Sequence, residues 1–250
     1  AICPEGVNEE SFINQLIHNS LYAHAKVVEK VHTIKDAIVL GMVIYIPHYA
    51  ATCHPLDELA ARKQMSKTNV FLDMFVYGEY SSYYWSQMVK NNTLPDIQEG
   101  DLEVMRKNTV DWLSFSYYMS ATAKDGSSGV KAGGNLQVEL NPYLKASEWG
   151  WTIDPIGIRI ALRDLYEKYR MPIMVVENGF GMRDIFENGT VIDDERIYYM
   201  KDHIEQIGIA IEEGVDCRGY LMWGPIAILS SQGEMGTRSG MIYVNRDDKD

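Results

Sequence analysis

Helical and strand signals take turns along this chain, each of four strands preceded by helix, and that alternation constrains its fold more tightly than any other property. Asn8 precedes Glu9 and Glu10 as a helix cap, and the two acids in the first turn suit the positive end of the helix dipole. The period that follows predicts an apolar face of Ile13, Leu16, Ile17, Leu21, Val28 and Val31. Residues 37–46 form an apolar run between Asp36 and Pro47, strand-like in its length and β-branching and too short to cross a bilayer. Pro47 and Pro55 bracket a loop. Helices are predicted over 56–65 and 68–89, until Asn91-Asn92-Thr93-Leu94-Pro95 breaks the pattern. A second strand is predicted over 110–118. Residues 124–134, rich in Gly, Ser and Lys, read as a loop. Asp154-Pro155 starts a helix that runs to Tyr169, and residues 172–177 are the third strand. Asp193-Asp194 opens a helix with a face of Ile197, Met200, Ile204, Ile207 and Ile211, ended by Gly214. Residues 219–223 are the fourth strand.

Such alternation argues for parallel strands joined by crossover helices. It fits a doubly wound sheet and equally half of an eight-stranded barrel, and periodicity does not separate the two. No repeat or linker interrupts it, so residues 1–250 are expected to form a single domain.

The net charge of −12 argues against a nucleic-acid partner, which needs a basic face, and against docking on an anionic membrane. Cys3, Cys53 and Cys217 are odd in number and contain no CxxC pair. They suggest neither a zinc site nor a disulfide framework, but buried thiols in a reducing, cytoplasmic compartment. No cofactor is implied. The chain opens on Ala1-Ile2-Cys3-Pro4 with neither a signal-peptide pattern nor an initiator methionine, and reads as processed, trimmed or partial.

The chemistry begins at Met174-Val175-Val176-Glu177-Asn178-Gly179-Phe180. A buried strand ends there in a carboxylate, and α/β folds place their chemistry at the carboxyl ends of strands. Glu177 can act as nucleophile, general base, metal ligand or ion-pair member. A metal would need partners at ligand spacing, and the six histidines show none. The second strand ends in Ser116-Tyr117-Tyr118 and the fourth in Trp223-Gly224-Pro225. A carboxylate near a tyrosine hydroxyl and an aromatic face is the composition of a sugar site, where rings stack on apolar pyranose surfaces. A second Glu-Asn-Gly, at Glu187-Asn188-Gly189, has no apolar strand feeding it and reads as a turn.

Val176-Glu177-Asn178-Gly179 resembles the nucleophile motif of glycoside hydrolase family 1, retaining β-glycosidases on (β/α)8 barrels. Phe115-Ser116-Tyr117-Tyr118 is similar to the family's sixth-strand motif, whose last Tyr bonds the nucleophile. Ala146-Ser147-Glu148-Trp149-Gly150-Trp151-Thr152-Ile153-Asp154-Pro155 resembles the segment carrying the aglycone-side Trp, which the resemblance puts at Trp149. Trp223 matches the Trp that floors the sugar site. Asn141-Pro142-Tyr143-Leu144-Lys145, His203-Ile204-Glu205-Gln206 and Gly233-Glu234-Met235 are similar to the bacterial 6-phospho-β-glucosidase branch. Ser230 stands where unphosphorylated-sugar enzymes carry a Glu, which would repel a 6-phosphate. That branch's phosphate-binding Lys and Tyr fall at Thr237 and Ser239, beside Arg238.

The resemblance therefore implies a phosphorylated β-glucoside as substrate, with Glu177 and Tyr118 catalytic. Trp223, Ser230, Trp149, Thr237, Arg238 and Ser239 would stand around the sugar. The family's general acid belongs to a T-x-N-E motif ending the fourth barrel strand, and no T-x-N-E occurs in this sequence. On that map the chain is the C-terminal half of the barrel, strands five to eight. It would then self-associate or pair with a missing N-terminal half. The alternative is a catalytically incompetent half barrel or sugar-binding module.

Overall fold

The structure, a computed structural model, describes residues 2–127, 129–132, 136–226, 240–242 and 244. Their contacts divide the chain into two units, Ala1–Val43 with Met65–Leu113, and Ile44–Gln64 with Ser114–Asp250. No helix among the described residues is long and apolar enough to cross a membrane.

In the first unit, α1 (Glu9–Val31) begins as predicted, the Asn8 side chain accepting the Ser11 N–H at 2.9 Å. Its inward face differs from the apolar stripe. Asn14, His18, Leu21, Ala25 and Val28 are buried, while Ile13 and Leu16 are exposed. Two polar residues go inside because each finds partners there. Asn14 Nδ2 donates to the Thr93 carbonyl at 2.9 Å, and its Oδ1 accepts from the Tyr84 hydroxyl at 2.6 Å. His18 sits between the Tyr80 hydroxyl (2.9 Å) and Asp101 (3.1 Å). Buried polar groups are tolerated when bonded in this way.

β1 (Leu40–Ile44) and the short β2 (His48–Ala50) come next. α2 (Pro55–Tyr77) runs straight through the break expected at 66–67 and stops before Gly78. α3 (Ser82–Asn91) is a separate helix, capped by Ser81 and closed by Asn92 in the left-handed conformation. The predicted helix over 68–89 is therefore two. α4 (Asp101–Lys107) went unpredicted, a seven-residue helix with no long apolar period to announce it.

The four predicted strands are those of the main sheet: β1, β3 (Trp112–Ser116), β7 (Ile173–Glu177) and β10 (Cys217–Tyr220), adjacent in that order. β10 runs parallel to β7. It begins two residues earlier than predicted, because Cys217 already pairs with Ile173, ahead of Gly219 with Met174 and Tyr220 with Val175. In the second unit, β2 pairs in parallel with β4 (Ala121–Ala123). Within the expected 124–134 loop, β5 (Val130–Ala132) pairs antiparallel with β6 (Leu136–Val138).

α5 (Pro155–Tyr169) starts as predicted, Asp154 accepting the Gly157 N–H at 3.0 Å. β8 (Ile185–Glu187) and β9 (Thr190–Ile192) form a hairpin whose two-residue turn is Asn188-Gly189, both with positive φ. The second Glu-Asn-Gly is thus a turn, of the type Asn-Gly favours. α6 (Asp194–Glu212) packs along α5. Its buried face is Arg196, Tyr199, His203, Ile207 and Ala210. Of the predicted face, Ile197, Ile204 and Ile211 are exposed, and Ile207 is buried. Asp193 makes no cap bond to the helix, because its carboxylate pairs with Arg196.

Candidate active site

The site grows from the end of β7. Ile173 and Val175 are fully buried, which pins the strand. The ladder continues on both sides up to its last residue: the Tyr117 N–H donates to the Glu177 carbonyl at 2.9 Å, and Leu221 N–H to the Val175 carbonyl at 2.8 Å. The Glu177 backbone is therefore held in the interior of the sheet rather than on a free loop.

Its carboxylate receives two hydroxyls on one oxygen. Ser116 Oγ donates to Oε2 at 2.8 Å and Tyr118 Oη at 3.0 Å. Residues 116 and 118 are two apart on an extended backbone and so point the same way. Burial, and next the negative charge of Glu177, push the Tyr118 phenol well above its usual range. Tyr118 is thus a donor at every physiological pH. Charge-assisted bonds of this kind are about twice as strong as neutral ones.

Asn178 is fully buried and turned the other way. Its Nδ2 donates to the Tyr117 carbonyl (2.8 Å) and to Tyr199 Oη (3.1 Å), and its Oδ1 accepts from Tyr220 Oη (2.9 Å). Gly179 lies against the next strand end, where a β-carbon would meet the Trp223 carbonyl at 2.9 Å. Trp223 N–H donates to the Asn178 carbonyl at 2.8 Å, and its side chain is 41% exposed. The three residues of the Glu-Asn-Gly motif therefore divide the work among a carboxylate facing one way, an amide tied back into the core, and a glycine that leaves room for the Trp223 backbone.

Tyr118 and Glu177 come together as the sequence implied, and Trp223 is joined to them through Asn178. The two tryptophans of the 146–155 segment stand differently. The Tyr118 ring is 5.5 Å from Trp151, whereas Trp149 lies under the Arg183 guanidinium at 5.9 Å. Both indole N–H groups are buried without a hydrogen-bond partner among the described residues. Ser230, Thr237, Arg238 and Ser239 lie outside the described residues. No group of three metal-ligating side chains occurs among the described residues.

Sequence reasoning missed the support from α6. Arg196 is buried beside Asp184 (2.9 Å) and Asp193, and its Nε donates to the Phe180 carbonyl at 3.2 Å. It thereby anchors the segment that follows Glu177. Tyr199 and His203 lie one and two turns further on. The spacing 196, 199, 203 is helical, so a polar stripe was present in the sequence. The isoleucine period of the same helix outweighs it in hydrophobicity.

The four-stranded sheet with its intervening helices makes this an α/β protein, and the chain belongs to glycosyl hydrolase family 1, whose sequence profile matches residues 1–250. It is 42% identical over 250 residues to the aryl-phospho-β-D-glucosidase BglH of Bacillus subtilis, covering 98% of this chain and 53% of that protein. To the 6-phospho-β-glucosidase of Clostridium longisporum it is 43% identical over 244 residues, covering 94% and 51%. A β-glucosidase from Thermotoga maritima superposes with a TM-score of 0.81 at 26% identity, over 96% of this chain and 53% of that one. The chain spans about half the length of the relatives it matches, and its fold is a partial (β/α)8 barrel.

Proposed function

We propose that this chain carries the nucleophile half of a retaining β-glycosidase acting on 6-phospho-β-glucosides. The observation that carries the reading is the Glu177 carboxylate at the end of β7, with Ser116 and Tyr118 both bonded to Oε2. That engagement orients the carboxylate and makes Oε1 the attacking oxygen. Oε1 bonds to the anomeric carbon as the bond to the aglycone oxygen breaks and that oxygen leaves with the electron pair. A proton must reach the leaving oxygen unless the aglycone is a stable anion. Water then attacks the glycosyl ester, releasing the sugar and regenerating Glu177. Retention requires a second carboxyl about 5–5.5 Å from the first. With no T-x-N-E in these 250 residues, the reading assigns that acid to polypeptide outside them, a missing N-terminal half or a second copy.

Trp223 is proposed as the floor of the sugar site and Trp149 as the aglycone-side ring. The indole N–H groups of Trp149 and Trp151, which have no partner among the described residues, suit sugar or aglycone oxygens, since a buried donor left unbonded costs about 1–3 kcal/mol. Ser230, Thr237, Arg238 and Ser239 are proposed to face the 6-phosphate. The relatives named for phospho-glucosides support that substrate, and a phosphorylated sugar fits a cytoplasmic location.

The test is a fluorinated 6-phospho-β-glucoside with a dinitrophenolate leaving group, which needs no acid. The reading expects a burst of dinitrophenolate and one glycosyl mass added at Glu177. No added mass, or an added mass that persists in Glu177→Gln, overturns it. Thr237 and Ser239, standing where the phospho-glucosidase branch carries its phosphate-binding Lys and Tyr, favour a second reading, a sugar-binding half barrel without turnover. Binding of the unreactive 6-phospho sugar with no labelling would support that one.

A further inference from the structure

We propose that Tyr199 of α6 is a positioning residue for the nucleophile: its single buried hydroxyl ties the strand end that carries Glu177 to the strand end that carries Tyr118. The proposal rests on the reading of Glu177 as nucleophile.

The bond directions follow from donor chemistry. The Tyr118 carbonyl can only accept, so Tyr199 Oη gives its proton to it, at 3.2 Å. Toward Asn178 the same oxygen can then only accept, and it does so from Nδ2 at 3.1 Å. Asn178 is the residue after Glu177, and Tyr118 donates to Glu177 Oε2. One hydroxyl thus bridges the two chain segments whose side chains make the Glu177–Tyr118 contact, and it reaches them from 21 and 81 residues away.

The bridge is itself held rigidly. The Tyr199 ring stacks on Phe180 (centroids 5.0 Å apart) and on His203 (3.8 Å). His203 Nδ1–H donates to the Tyr199 carbonyl at 2.7 Å, which locks that ring's own tautomer and orientation. The Tyr220 hydroxyl holds the far side of the Asn178 amide at 2.9 Å. Asn178 therefore cannot rotate away to compensate if Tyr199 Oη is removed. A core tyrosine placed for stability alone has no need to bond the two residues flanking one catalytic contact.

The experiment uses the 250-residue chain and the fluorinated dinitrophenyl 6-phospho-β-glucoside, reading the limiting labelling rate and the half-saturating concentration separately. Tyr199→Phe keeps both ring stacks and removes only the oxygen. The proposal expects a limiting rate about tenfold lower per labelled site, with half-saturation unchanged, as displacement of a reacting group by a fraction of an ångström implies. It also expects non-additivity: in a Tyr118→Phe background, Tyr199→Phe should cost little further, because the contact it positions is already gone. Asn178→Leu removes the amide that donates to Tyr199 Oη, together with its bonds to Tyr117 and Tyr220, and serves if Tyr199→Phe does not fold. Equal limiting rates for the parent and the variant, or losses that multiply with Tyr118→Phe, overturn the proposal while leaving Glu177 in place. A parent chain that takes no label overturns the nucleophile reading, and the positioning role falls with it.

Discussion

Gly157→Ala puts one carbon where the fold has no space. Gly157 lies in the first turn of α5, and a β-carbon there would sit 2.1 Å from Tyr117 Oη, 2.7 Å from Asp154 Oδ2 and 3.0 Å from Tyr117 Cζ. Comfortable contacts need about 3.5 Å, so the phenol must retreat by more than about an ångström. It cannot do so freely. Tyr117 is fully buried, and its hydroxyl donates to the Asp154 carbonyl at 2.6 Å. Overpacking of this kind costs about 1–3 kcal/mol. Stranding the buried acceptor adds about 1–3 kcal/mol. The better helix propensity of Ala returns about 1 kcal/mol. The net expectation is a loss of about 3 kcal/mol, read as a lowered urea midpoint by circular dichroism. The sharper test is the cycle with Tyr117→Phe, which deletes the atom at 2.1 Å. In that background Gly157→Ala should cost about 1 kcal/mol, leaving a coupling of about 2 kcal/mol. A loss below about 0.5 kcal/mol in the parent, or equal losses in both backgrounds, refutes the reasoning. The site is within reach of this strain, because the Tyr117 N–H is bonded to the Glu177 carbonyl.

Other consequences can be measured alongside. Burial holds His203 down at about 4 against 6.5 when unfolded, so between those values the unfolded chain binds a proton that the folded chain refuses. Stability should therefore fall as pH drops from 6.5 to 4, by up to about 3 kcal/mol, and His203→Phe should flatten that slope; an unchanged pH–stability curve in the variant would count against it. Arg196→Met leaves the carboxylates of Asp184 and Asp193 without their buried cation and should cost about 3–5 kcal/mol in melting experiments, partly recovered by adding Asp184→Asn. In the first unit, Asn14→Leu leaves the Tyr84 hydroxyl and Thr93 without their buried partner and should cost about 2 kcal/mol, whereas Ser20→Ala on the exposed side of α1 should cost under about 1 kcal/mol.

Much of the architecture was legible. Apolar β-branched runs marked β1 and β7, aromatic-rich segments marked β3 and β10, and Asn8 and Asp154 marked two helix starts, because these signals are local. Glu177 and Tyr118 were legible through motif resemblance, and Asn188-Gly189 through turn chemistry. Helix faces were less so. In α1 and α6 the buried face coincides only in part with the apolar stripe, sharing Leu21, Val28 and Ile207. Periodicity weighs only hydrophobicity, while Asn14, His18, Arg196, Tyr199 and His203 go inside because other segments supply their partners. That Trp151 lies beside the Tyr118 ring had no local signature either.

The sequence by itself determined the alternation of helix and strand, the four strands of the sheet and the carboxylate at the end of one of them, since each depends on residues within a few positions of one another. Only the tertiary structure decided what surrounds that carboxylate. Tyr118 meets Glu177 across 59 residues, and Tyr199 reaches back 81 to the Tyr118 carbonyl. Hydrogen bonds of that range are set by which strands lie side by side and which face of a helix turns inward, and those are properties of the packed chain.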